Sequence, residues 1–170
     1  MTFVFNYRTP DGLDDMLMES DGEKLTGLHF VDSAEGDYAE RDLPVFRETR
    51  RWLDCYFSGR QPDFTPSYRI DGLTSFRKDV TDAMLAIPFG QTTTYGSIAA
   101  DIARKHGLAK MSAQAVGGAV GWNPICIIIP CHRVIGANGA LVGYGGGLAN
   151  KTALLAHETP PNGPRVRLGT

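Results

Sequence analysis

Cys131 and His132 stand side by side in Ile127-Ile128-Ile129-Pro130-Cys131-His132-Arg133-Val134-Ile135. A thiol next to an imidazole is equipped for nucleophilic work, either hydrolysis or acceptance of a transferred group. The thiolate is the reactive species, and a cysteine of pKa about 8.5 is only slightly ionised at neutral pH, so a base must help. Cys126–Ile129 reads as a short buried strand or extended segment, stopped by Pro130, which has no N–H for a ladder. That puts Cys131 just past a strand end, at a corner facing a pocket. Neighbours on an extended chain point to opposite sides, so His132 is expected to take the Cys131 proton through a bridging water. A carboxylate would fix the imidazole tautomer and stabilise its charged form, and Glu158 is the candidate. A lone buried cysteine is ordinarily a small hydrophobe. The adjoining His132 turns the reading toward chemistry.

The elements that position this stretch fall into two halves. Phe3, Phe5 and Tyr7 alternate with polar or small neighbours at period two, the pattern of a strand. Pro10-Asp11-Gly12 is a turn signal. Asp15–Ser20 and Lys24–Val31 read as a hairpin around Asp21-Gly22, and the acidic stretch Asp32 to Asp42 as a surface loop. From Pro44, Val45, Phe46, Thr49, Trp52, Leu53, Tyr56 and Phe57 recur at helical spacing, with Gly59 as the stop. Cys55 lies in that helix and reads as structural. Residues 60–72 are linker-like. Beyond them, Phe76, Val80, Met84 and Leu85 mark a helix ending before Pro88-Phe89-Gly90. Thr94 and Ser112 are N-cap candidates for two short helices in helix-turn-helix arrangement. The second, Ala113-Gln114-Ala115-Val116-Gly117-Gly118-Ala119-Val120-Gly121, is almost bare of large side chains. Residues 136–147 read as a glycine-rich loop around Tyr144 that closes over something. A last helix delivers Glu158 at its end, and 159–170 is expected to be a poorly ordered tail.

The composition, 42% hydrophobic and 21% charged in 170 residues, is that of a globular chain able to bury a sizeable core. No apolar run approaches the roughly 20 residues that span a bilayer, so no membrane partner is expected. The N-terminus carries no secretory pattern. Cysteines at 55, 126 and 131 form neither a disulfide framework nor a metal knuckle, and the setting reads as reducing and cytoplasmic. His29, His106, His132 and His157 show no ligand spacing, and neither a metal nor a cofactor is expected. Residues 1–90 hold ten Lys/Arg against seventeen Asp/Glu, while residues 91–158 hold five against two. A nucleic-acid partner would therefore meet the second half.

Pro130-Cys131-His132-Arg133-Val134 resembles the active-site signature of the O6-alkylguanine-DNA alkyltransferase family. The similarity continues in register through Ile87-Pro88-Phe89-Gly90, Thr94-Tyr95-Gly96, Ala115-Val116-Gly117-Gly118-Ala119, Asn123-Pro124, Gly143-Tyr144 and Leu154-Leu155-Ala156-His157-Glu158. It covers about residues 74–158. The resemblance implies an α/β N-terminal RNase H-like domain at 1–72 and a mainly α, winged helix-turn-helix-like domain at 73–158, with 159–170 a flexible tail. It implies a monomer that binds double-stranded DNA containing O6-alkylguanine, flips the damaged base and moves the alkyl group irreversibly to Cys131, with O4-alkylthymine a second substrate. Carried over by position, His132 and Glu158 form the water-linked base and Asn123 braces the active-site turn. Tyr95 donates to the guanine and crowds the rotating phosphate. Tyr144 and Gly145 line the base pocket, and the helix from Ser112, with Gln114 and Ala115, enters the minor groove. Arg133 reads as a brace. The family usually has an arginine where this chain has Gln114, and the segment Ala103 to Met111 is longer. The alternative is an alkylated-DNA-binding protein without efficient transfer, and a hydrolase unrelated to DNA is a further rival.

Overall fold

The computed structural model describes residues 1–32, 39–142 and 144–159, grouped in two compact units: 1–72 with 124–128, and 73–123 with 129 onward. Gly143, the 33–38 part of the acidic stretch, and the expected tail beyond Thr159 lie outside the described residues. The architecture is mixed α/β.

In the first unit, β1 (Phe3–Tyr7), β2 (Asp15–Ser20) and β3 (Leu25–Val31) form an antiparallel meander, with Phe5 opposite Met18 and Leu17 opposite His29. The turn between β2 and β3 follows from its residues. Asp21 Oδ1 accepts the N–H groups of Glu23 and Lys24 at 2.9 and 2.8 Å, and Gly22 takes a left-handed φ of +110°, which lacks a steric penalty without a Cβ. α1 (Pro44–Phe57) starts on proline, whose missing N–H has no intrahelical use there. It buries Val45, Phe46, Thr49, Trp52, Leu53 and Tyr56, one stripe at helical spacing. The predicted linker at 60–72 does more than connect. Leu25 N–H donates to Ser67 O and Arg69 N–H to Leu25 O, both at 2.9 Å, so Tyr68 bridges β3 in parallel.

Residues 126–129 are buried as expected, but they form neither the strand nor the extended segment expected of them. A bridge from Ile125 to Leu28 precedes them. The backbone then reverses: Ile128 N–H donates to Cys126 O at 2.8 Å around an Ile127 with φ +69°. That is a γ-turn of the rarer, strained hand, and a left-handed β-branched residue costs about 1–2 kcal/mol. Ile127, Ile128 and Ile129 are nonetheless all buried. A strand offers two faces, whereas the turned backbone buries three successive isoleucines at about 2 kcal/mol each, which outweighs the strain.

The second unit is mainly helical. α2 (Ser75–Leu85), β4 (Thr93–Thr94), α3 (Tyr95–Lys105), α4 (Ala113–Gly121), β5 (Val134–Ile135) and α5 (Leu148–Glu158) follow in order. α2, α3 and α4 pack together through Val80 and Met84, Ile98 and Ile102, and Val116 and Val120, all buried. Thr74, Thr94 and Ser112 cap the three helices, accepting from Arg77, Ser97 and Ala115 N–H at 3.2, 3.0 and 3.2 Å. The end of α3 is clasped by Asp79, which takes Lys105 Nζ at 2.6 Å and His106 Nε2 at 2.7 Å. β4 and β5 pair in parallel, Thr93 with Val134 and Thr94 with Ile135. This tie matters, because Tyr95 follows β4 and the Cys131 turn precedes β5. Among the described residues no helix is long and apolar enough to cross a membrane.

Thr94→Ala removes the cap of α3 while leaving its buried face intact. The expected loss of stability is about 1 kcal/mol, measured by urea unfolding against the parent chain. An unchanged midpoint would mean that the β4–β5 pairing alone fixes the start of α3.

Candidate active site

Cys131 is placed by turns, not by an element. Pro130 adopts φ −82°, ψ 64° and Cys131 N–H donates to Ile129 O at 2.8 Å, an inverse γ-turn that proline's fixed φ suits. A single 3-10 turn, Cys131–Arg133, follows, with Arg133 N–H to Pro130 O at 3.0 Å. Asn123 Nδ2 donates to Ile129 O at 2.9 Å and braces the entry to the turn. Cys131 and His132 are both buried. They are consecutive residues of a 3-10 turn, so their side chains diverge by about 120°, not to the opposite sides of an extended strand as the sequence reading supposed.

Glu158, the last residue of α5, lies at the centre of a buried polar cluster. Its Oε2 accepts a hydrogen bond from His132 Nε2. Its Oε1 accepts from Arg133 Nε at 2.7 Å and from Gly90 N–H at 3.1 Å. Arg133 also gives Nη1 to Ile87 O at 2.8 Å and lies 5.7 Å from the Phe89 ring centroid. Gly90 has φ +81°, and a Cβ there would meet Glu158 O at 3.1 Å, so glycine is required. Burial works to raise the Glu158 pKa, but the hydrogen bonds of His132 and Arg133, the Arg133 charge, and that of His132 once it is protonated outweigh it and hold the carboxyl at about 2. Burial pushes His132 below its ordinary 6.5, against the pull of Glu158. The resting pair is therefore an ionised carboxylate accepting from a neutral imidazole. Nε2 carries the proton, which makes Nδ1 the basic nitrogen.

Lys151 was not anticipated from the sequence. It is fully buried, donates to Val134 O at 2.6 Å and lies 3.4 Å from the Tyr95 hydroxyl. Its Nζ stands 5.7 Å from the ring centroids of both Tyr95 and Tyr144. Burial lowers its pKa, while the Cys131 charge works the other way. Tyr95 donates to Val142 O at 3.2 Å, and burial, then the Cys131 charge, raise its pKa, so the phenol stays protonated and a donor. The signal was available: Lys151 and Glu158 sit seven residues apart on the same helical stripe as buried Leu154 and Leu155. A lysine on a buried stripe needs a polar reason.

The structure thus gathers Cys131, His132, Glu158 and Asn123, and joins Tyr95 and Tyr144 to them through Lys151. Gly145 lies near the end of α4, where a Cβ would stand 3.4 Å from Gly121 O. Ser112, Gln114 and Ala115 are exposed at the start of α4, away from this cluster in the bonding pattern. α4 meets the cluster at Gly117, where a Cβ would come 3.8 Å from the Tyr95 ring. Among the described residues no group of three or more His, Cys, Asp or Glu could hold a metal ion.

Residues 75–160 match the family model described as 6-O-methylguanine DNA methyltransferase, DNA binding domain. The chain is 42% identical over 146 residues to the methylated-DNA–protein-cysteine methyltransferase of Mycobacterium leprae, covering 84% of this chain and 85% of that protein. In structure it is similar to Mycobacterium tuberculosis O6-methylguanine methyltransferase, with TM-score 0.76, 35% identity and coverage of 95% and 97% of the two chains. A structure of Mycobacterium tuberculosis OGT in complex with DNA aligns at TM-score 0.74 and 36% identity, over 94% of this chain and 95% of that one.

The Glu158 cluster makes stability depend on acid. A carboxyl whose folded pKa lies below its unfolded value stabilises the fold above the unfolded value and loses that contribution as pH falls. From 4.5 to about 2, at about 1.4 kcal/mol per unit, the loss is about 3 kcal/mol. It is expected between roughly pH 5 and pH 2, where the unfolded chain binds the extra proton. His132, held neutral in the fold, adds a loss of the same sign beginning below 6.5. Urea unfolding at stepped pH should show this slope, flattened below pH 5 in Glu158→Gln. A variant keeping the full slope would assign it to other carboxylates.

Proposed function

The chain belongs to the 6-O-methylguanine DNA methyltransferase family, and we propose on that footing that it repairs alkylated DNA by moving the O6-alkyl group of guanine onto Cys131, once and irreversibly. The observation that carries this reading is a buried, tautomer-fixed His132–Glu158 base next to a cysteine held on a rigid turn. The thiol proton passes through a water to His132 Nδ1, and the imidazolium that forms is stabilised by Glu158. The thiolate attacks the alkyl carbon, the S–C bond forms as the C–O6 bond breaks, and the electron pair stays with the guanine. Tyr95 exchanges Val142 O for the flipped base and donates to it as charge develops there. Tyr144 and Gly145 line the base pocket. The cysteine thiolate is too poor a leaving group for water to displace from the thioether, so each molecule acts once. O4-alkylthymine presents the same alkyl–oxygen bond and is a second substrate.

The second unit acts as a winged helix-turn-helix-like DNA-binding domain, with Ser112, Gln114 and Ala115 leading α4 into the minor groove. The first acts as an RNase H-like α/β domain. The protein works as a cytoplasmic monomer on double-stranded DNA containing O6-alkylguanine. Reading the chain as a binding protein without transfer has less to support it, since the acceptor thiol and its base are both in place.

Cys131→Ser tests the acceptor. Incubated with a duplex carrying O6-methylguanine, the parent chain should gain one methyl by intact mass and the variant none, with DNA binding nearly unchanged. Cys55→Ser and Cys126→Ser should still gain it. A methyl on Cys55 or Cys126 in the parent chain would overturn the assignment.

Gln114 bears on flipping, which costs a few kcal/mol. An arginine in the stack offsets that cost with a planar, charged fork, and glutamine has neither the charge nor the reach. Gln114→Arg is expected to react with free O6-benzylguanine at the parent rate, and with duplex O6-methylguanine about tenfold faster, equivalent to about 1.4 kcal/mol. Equal duplex rates would place Gln114 outside the gap left by the flipped base.

A further inference from the structure

We propose that Arg133 is a positioning residue for the transfer: by sharing the Glu158 carboxylate with His132, it keeps that imidazole a neutral base instead of the cationic half of a buried ion pair. The inference rests on the alkyl-transfer reading and specifies how that site accepts a proton. A carboxylate buried against a single imidazole draws a proton onto the pair. Glu158 is not so placed, because Arg133 Nε engages its Oε1 at 2.7 Å and Gly90 N–H the same oxygen at 3.1 Å. Arg133 is itself fixed on the other side by Ile87 O at 2.8 Å and by the Phe89 ring. Its charge is therefore held against the carboxylate and cannot swing to solvent.

The groups around His132, Glu158 and Arg133 come from three places. α5 contributes Glu158 and Lys151, and the turn itself contributes Cys131 and Arg133. The segment before β4 contributes Gly90 N–H and Ile87 O, with Phe89, whose ring His157 meets edge-on at 6.3 Å. Glu158 favours imidazolium, while burial first, and then Arg133 and Lys151, oppose it. Of the opposing charges, Arg133 is the one that shares the carboxylate. Remove it, and the His132–Glu158 pair takes up one proton at rest, whichever partner holds it. His132 is then unable to accept the thiol proton until the pH rises further.

The test follows the rate of reaction with free O6-benzylguanine across pH in the full chain, which needs no base flipping. Arg133→Met should shift the acid limb of the profile upward by at least about one pH unit, a tenfold loss on that limb. Arg133→Lys keeps the charge but loses the fork, so its limb should stay near the parent position at a lower rate. In Arg133→Met/Glu158→Gln the limb should return toward the parent position, because the carboxylate that attracts the proton is gone. A uniform rate loss in Arg133→Met at every pH would make Arg133 structural only and overturn the proposal. Should Arg133→Met fail to fold, the nitrogen NMR shifts of His132 in the parent chain decide: a neutral Nε2–H tautomer at neutral pH supports the proposal, and an imidazolium overturns it. A parent chain inert to O6-benzylguanine but showing that neutral tautomer would overturn the transfer reading and leave the role of Arg133 standing.

Discussion

One buried carboxylate organises the second unit. Taking a charge out of water costs several kcal/mol per ion unless its lone pairs are filled. Glu158 receives three donors, from His132, Arg133 and Gly90. They come from two separate segments of chain, and Glu158 closes α5 on a third. Losing any one donor leaves a buried anion short of a partner, so these segments must form together or not at all. This explains why the chain continues for a full helix after its reactive stretch: the helix delivers the charge that the stretch cannot supply for itself.

The turn at Cys131 has a related logic. In a helix or sheet interior the backbone N–H and C=O groups are committed to a ladder and side chains pack by period. Here the backbone bonds are short-range, closed within two or three residues at Ile127, Pro130 and Cys131–Arg133. A longer-range brace, Asn123 Nδ2 to Ile129 O, and the Lys151 contact to Val134 O fix the two ends of the segment. Strained backbone persists only where its surroundings over-determine it. The left-handed Ile127 is held by its own burial.

How much of this was legible in the sequence follows from the kind of signal each feature leaves. The period-two run at Phe3–Tyr7, the α1 stripe and the caps Thr94 and Ser112 are local, and local propensity and tertiary need agree there. Cys126–Ile129 was misread because an isoleucine run has strand propensity, while the turn that wins is set by three-sided burial, which no window of sequence contains. Glu158 was legible as a carboxylate ending a helix. Arg133 reads from the sequence only as a brace, and Lys151 not at all, since the partners of both depend on what distant segments place beside them. The Tyr68 bridge to Leu25 went unread for the same reason: forty-odd residues of separation hide a pairing that two hydrogen bonds make plain.

The glycines of α4 separate internal from external demands. A glycine in a helix costs about 1 kcal/mol relative to alanine, so each should have a return. At Gly117 a Cβ would stand 3.8 Å from the Tyr95 ring, an ordinary contact, so the demand inside the chain is only for a small residue. At Gly118 and Gly121 a Cβ would meet nothing within 4 Å, and both are exposed. Packing within the described residues therefore does not ask for glycine at either place. On the DNA-binding reading proposed above, the demand comes from outside: a helix entering a minor groove about 6 Å wide gains from every side chain it does without. The helix that is poorest in intrinsic stability is then also the one that Ser112 caps and that Val116, Ala119 and Val120 anchor in the core. Its buried face supplies the stability that its bare face gives up.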